Sequence, residues 1–206
     1  MKTANTVFEK TYSDYLKQIE ASDLKLIGSR LGLAFVANEL IIPLLGESYT
    51  MSGKEIRGEG GQRPGFERCV ILSKYLLLCP NTLPEKYDWT AFRDLKNAGP
   101  LKKYFRNDVE MTITRFFTGK LTLLKKTVNI LGGKAPDIEL NYDLAAKVLL
   151  LPKLPVIITF NDEDDEFPAA CSVLFENHAE SFLDAESLAI LGHVFAVKLK
   201  ELSVNG

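Results

Sequence analysis

Between Leu149 and Leu183 the chain reads LLLPKLPVIITFNDEDDEFPAACSVLFENHAESFL, an apolar hairpin-like segment, an acidic tip and a third apolar run in unbroken succession. Short runs of this kind, rich in Val, Ile, Leu and Phe and bounded by proline or clustered charge, have the length and punctuation of strands rather than helices. Ala145 to Leu151 and Val156 to Phe160 are joined by PKLP, and Cys171, Val173 and Phe175 alternate on one face of the third run. The last third of the chain is therefore expected to hold a small antiparallel sheet.

Upstream, Phe8, Tyr12, Tyr15, Leu16 and Ile19 recur at three- and four-residue intervals, which predicts a helix from about Asn5 to Glu20 with one apolar side. Ser22 and Asp23 can cap a short second helix that carries Leu24, Ile27 and Leu31 and ends near Gly32. Runs at Leu33–Val36, Glu39–Ile42 and Ser48–Met51, separated by Asn38, Pro43 and Gly46, predict a small antiparallel meander. A glycine-rich loop, Gly53–Gly65, then opens the apolar helix FERCVILSKYLLLC, stopped by Pro80 and apolar around most of its circumference, hence central and buried.

Trp89–Leu95 predicts one more helical turn, and Asn97–Pro100 a turn. Two helices are expected at about Asp108–Thr118 and Lys120–Leu131, the second stopped by Gly132 and Gly133. A final helix, about Ala185–Leu202, carries Leu188, Leu191, Phe195, Leu199 and Leu202 at helical spacing. Strands and helices are segregated along the chain, so the expected fold is α+β, with small antiparallel sheets packed with a buried central helix and a C-terminal helix. The absence of repeats, low-complexity tracts and linkers makes residues 1–206 a single domain.

Composition narrows the functional classes. With 25 Lys and Arg against 27 Asp and Glu, the chain has no general attraction for nucleic acid or anionic lipid. A chain of this size buries roughly 70% of its extended surface and needs no disulfide or structural metal. Cys69, Cys79 and Cys171 are odd in number and lie in apolar surroundings, as expected of a reduced chain. On one helix, Cys69 and Cys79 would lie about 15 Å apart, beyond the reach of a disulfide. MKTANTVFEK turns polar where the apolar core of an export signal would begin, and no apolar run reaches the ~20 residues of a membrane span, so the expected location is the cytoplasm.

From Leu149 onward, P-x-x-P, four apolar residues, an acidic cluster ending in Asp165-Glu166-Phe167-Pro168, Leu174-Phe175 and later Ala185-Glu186 resemble the C-terminal half of the bacterial and archaeal family catalogued as domain of unknown function 3786. ERCVILSKYLL at Glu67–Leu77 is similar to that family's helix after the glycine-rich loop, and Trp89–Phe105 to its middle motif. The resemblance covers most of residues 24–202 and leaves residues 1–23 as an N-terminal helix. Some members carry an attached iron–sulfur module of the kind met in corrinoid proteins, which implies a tie to anaerobic one-carbon or redox metabolism and an iron–sulfur or corrinoid protein as partner. Three scattered cysteines cannot supply the four thiolates of a typical cluster, so any cluster would belong to that partner.

No known catalytic constellation is visible in the sequence. The loop Lys54–Arg68 combines Gly58, Gly60, Gly61 and Gly65 with Arg57, Arg63 and Arg68 ahead of a helix start, where N–H groups, helix dipole and guanidinium groups suit a phosphate or carboxylate. It matches neither standard phosphate-binding template, and a surface loop of ordinary charge is the alternative. The tip Asn161–Phe167 offers oxygen ligands for a hard cation but lacks the spacing and glycine of a calcium loop, so a solvated turn that discourages edge pairing is the alternative. Asp165 and Glu166 are its candidate residues. Lys102, Lys103 and Arg106 with Tyr104 and Phe105 read as an amphipathic helix start with both rings inside, Cys171 as core, and His178 and His193 as structural or surface residues.

The expected function is a cytoplasmic binding or accessory module that recognises an anionic small molecule or a redox partner, with Arg57, Arg63, Arg68, Glu67, Asp165 and Glu166 as candidate ligand contacts. An enzyme with dispersed carboxylates and arginines, drawn from Glu67, Asp165, Glu166, Glu186 and Arg63, is one alternative; a structural homo-oligomer is another. The cofactor, if any, is open.

Overall fold

The computed structural model describes residues 2–83 and 88–204, with side chains from Val7 onward. Helices α1 (Lys2–Glu20) and α2 (Leu24–Leu31) precede strands β1 (Ala34–Val36), β2 (Glu39–Leu44), β3 (Glu47–Met51) and β4 (Ile56–Gly58). Helix α3 (Phe66–Leu77) leads to β5 (Trp89–Ala91) and then to one continuous helical rod: α4 (Lys102–Tyr104), a π-helical stretch (Phe105–Glu110) and α5 (Met111–Phe117). Helix α6 (Leu121–Ile130), strands β6 (Leu144–Leu151), β7 (Leu154–Asn161) and β8 (Ala170–Glu176), and helix α7 (Ala185–Val204) complete the fold. The architecture is α+β, as the segregation of elements predicts.

The first sheet is the predicted meander, order β1-β2-β3-β4, all antiparallel. Its fourth strand falls inside the segment expected to be loop. Pro43, expected as a separator, lies within β2 opposite Ser48. Because β1 ends opposite Ile41, proline occurs where β2 has only one neighbour, the edge-like setting that tolerates its missing N–H. Before the meander, the Asp23 carboxylate accepts the Leu26 N–H at 2.9 Å, and Gly32, with φ 72°, ends α2 in the left-handed region.

The second sheet has the order β5-β8-β7-β6. The β6–β7 turn is tighter than PKLP implied: Leu151 pairs with Leu154, Lys153 takes φ 64°, and Pro155 pairs with Leu149 inside the sheet. Every residue of β7 from Leu154 to Phe160 is buried, so this strand is covered on both faces. Trp89–Ala91, expected as a helical turn, is instead a strand beside β8, in register Trp89↔Glu176, Thr90↔Phe175 and Ala91↔Leu174; only Phe92–Asp94 forms a 3₁₀ turn. Three residues hold too little local preference to resist an available sheet edge.

Helix α7 is the hub, packing against α3, the π stretch, α5 and α6, while α1 lies on α3. The core runs without a break from Ile19 and Leu40 through Leu72 to Phe160 and Phe195. Cys69, Cys79 and Cys171 are free. No helix among the described residues is long and apolar enough to cross a membrane.

Candidate functional site

The rod Lys102–Phe117 begins six residues earlier than the helix predicted from Asp108. Phe105, Val109, Ile113 and Phe117 follow one another at four-residue intervals and are all buried. In an α-helix such a repeat drifts by about 40° per step, since 3.6 residues make a turn. The wider i→i+5 turn between Phe105 and Glu110 keeps the stripe facing inward. Phe105 stacks on Phe92 with ring centroids 4.1 Å apart, and Gly192 of α7 makes room for it: a Cβ there would lie 2.5 Å from the Phe105 ring. Tyr104, expected inside with Phe105, is instead 37% exposed.

The same geometry lays a second stripe beside the first. Lys102, Arg106, Glu110 and Thr114, again four residues apart, line a cavity of about 900 Å³. Its far wall is β8. Strand β5 reaches only as far as Leu174, so Ala170–Val173 has no strand along its outer edge, and the Val173 N–H donates to Glu110 Oε1 at 3.2 Å. Arg93 also lines it, and the buried Phe92 and Phe105, with Met111, give the cavity an apolar floor.

Charge here is unbalanced. Arg93, Lys102, Lys103 and Arg106 line the cavity with a single carboxylate, Glu110. Lys102, Lys103 and Arg106 make no ion pair among the described residues, and Arg93 meets only its exposed neighbour Asp94, at 3.5 Å. Burial pushes the Glu110 carboxyl above its ordinary range, against the opposing pull of the Val173 N–H, Arg93 and Arg106. The Cys171 thiol on the same wall is held well above the usual thiol range by burial and by the Glu110 charge, so it is not a poised nucleophile.

The glycine-loop candidates are engaged within the chain. Arg57 pairs with Glu39 and, at 3.5 Å, with Glu55. Arg63 forms a two-pronged pair with Glu9 of α1 at 2.7 and 2.9 Å, its guanidinium resting over the rings of Phe8 and Tyr12. Arg68 lies 3.6 Å from Glu47, which also receives Lys198 of α7. An anion would therefore have to displace a carboxylate from each. Nearby, burial raises the Cys69 thiol to about 11.

The acidic tip is a capped turn. Asp164 accepts the N–H groups of Glu166 and Phe167, and Asp162 accepts those of Gly119 and Glu163. Asp165 and Glu166 are exposed at its end, and no group of three or more metal-ligating side chains is placed to hold an ion among the described residues. Glu67 lies 3.9 Å from His193, and Glu186 faces a separate cavity of about 480 Å³ between α1, α3 and α7. His178 sits 3.1 Å from Glu176. Three cavities stand out among the described residues, and none takes side chains from both the glycine loop and the acidic tip.

Lys102, Lys103 and Arg106 were visible as a basic cluster, and the four-residue repeat through Glu110 and Thr114 was the signal that one face joins them. Its opposite wall was not visible, because β8 lies more than sixty residues downstream. No curated protein and no solved structure matches the chain. The model of the family described as "Domain of unknown function (DUF3786)" matches residues 23–198, which takes in both walls of the cavity, and the chain belongs to that family.

Proposed function

We propose that the protein is a binding module that takes a small organic anion with an apolar body into the cavity between the Lys102–Thr114 stripe and the open edge of β8. The observation that carries this reading is the contrast between two sets of cations. Those of the glycine loop are neutralised within the chain, whereas Lys102, Lys103 and Arg106 line an apolar-floored cavity with no ion pair of their own among the described residues. Cavities of this size with an apolar lining and a few convergent charges are the usual form of small-molecule sites. An accessory role beside an iron–sulfur or corrinoid protein, implied by the family resemblance, fits such a module and asks for no cluster in this chain.

The test is calorimetric titration at neutral pH and low salt with 3-phenylpropionate, which joins a carboxylate to an apolar ring, against 3-phenylpropanol, which lacks the charge. The acid should bind and the alcohol should not. The triple variant K102A/K103A/R106A should weaken the acid by about tenfold or more, as charge-assisted contacts are worth about 1.5–3 kcal/mol each. Equal affinity for acid and alcohol, or no loss in the variant, would dispose of the reading.

A further inference from the structure

Glu110 is the feature that a simple anion site does not explain. It is the one carboxylate among the described lining residues, it is partly buried, and it stands on the same helical stripe as Arg106 and Lys102. Arg93 and Arg106 are near enough to favour its charge, yet neither forms an ion pair with it. Its Oε1 accepts the Val173 N–H, and its other oxygen has no donor among the described residues. A ligand bearing only negative charge would meet this carboxylate at close quarters, where like charges repel and weaken binding.

Strand β8 adds a second pair of groups. Side chains and peptide groups alternate along a strand with a period of two, so the N–H and C=O of Cys171 point the same way as the Val173 N–H, toward the edge that β5 leaves open. The cavity thus presents cations at Lys102, Lys103 and Arg106, an anion at Glu110, a strand-edge donor and acceptor at Cys171, and an apolar floor. These are the complements of a carboxylate, an ammonium group and an apolar side chain held on one carbon.

Resting on the anion-binding reading above, we propose that the ligand is an α-amino acid with an apolar side chain, its carboxylate held by Lys102, Lys103 and Arg106 and its ammonium group by Glu110. A site that leaves a buried polar group unpaired discriminates strongly against an analogue lacking the partner. Glu110 is therefore the residue that sets specificity.

The test extends the same titration series by one functional group. L-Phenylalanine is 3-phenylpropionate with an α-ammonium, and 2-phenylethylamine keeps the ammonium without the carboxylate. On the unaltered protein, L-phenylalanine should bind about tenfold or more tighter than either, the gain expected of one charge-assisted contact. E110Q should shrink the preference over 3-phenylpropionate to within about threefold while circular dichroism shows the fold unchanged. If 3-phenylpropionate binds as tightly as L-phenylalanine, the amino-acid assignment is overturned and the anion site stands. If none of the three binds, both fall. The comparison on the unaltered protein decides the matter even if E110Q folds poorly.

Discussion

Glu110 has a stability signature separate from any ligand. Its carboxyl titrates above the ordinary value of 4.5 in the folded chain because burial penalises the charged form. A carboxyl raised on folding costs no stability below its unfolded pKa, where both states are protonated, and costs its full share once pH exceeds the folded pKa. Glu110→Gln keeps an acceptor for the Val173 N–H and removes the charge. The variant should melt at a higher temperature than the parent at neutral pH, with the difference fading as the solution is acidified toward 4.5. A lower melting temperature at neutral pH would show that Arg93 and Arg106 outweigh the cost of burial.

Between elements, the contact that shapes the cavity is α7 against the π stretch. Gly192 is needed there for space: a Cβ would press on the Phe105 ring, which is already stacked on Phe92 and has nowhere to turn. Gly192→Ala should destabilise the protein by about 1–3 kcal/mol in chemical denaturation, the usual cost of overpacking a filled core. It should also weaken 3-phenylpropionate binding, because Phe105 forms part of the cavity floor. Unchanged stability would mean that the two helices slide apart freely. The boundaries of α2, α3, β6, β8 and α7 were legible within a few residues because caps, proline stops and apolar periods are local signals. β4 and β5 were not: each is three residues long and exists because a neighbouring strand offers hydrogen bonds. The π stretch was equally hidden, since it answers to the ring packed against α7.

For the whole molecule, the question is how α1 relates to the rest, since it lies outside residues 23–198 that match the family. The structure makes it part of the core. Ile19 is fully buried, Tyr12 receives the Ile56 N–H through its hydroxyl at 3.0 Å, and Glu9 holds Arg63. Ile19→Ala should cost about 3 kcal/mol of unfolding free energy, within the range for truncating a buried aliphatic side chain. A cost near zero would identify α1 as a strap that lifts off. Because Glu9 stands on α1, that helix supplies one of the carboxylates that engage the glycine-loop arginines, the one paired with Arg63.

The sequence by itself determined the fold class, most of the elements, the buried central helix and the family, because each rests on short-range patterns of apolar spacing, caps and breaks. It also displayed every charged residue of the cavity. Only the tertiary structure decided which charges are spent on one another and which are left to line a cavity. Arg57, Arg63 and Arg68 meet carboxylates supplied by β2, α1 and β3, whereas Lys102, Lys103 and Arg106 line a cavity shared with the strand edge that β5 leaves uncovered. Partnership between side chains that are distant in the chain is a matter of packing, and no local pattern encodes it.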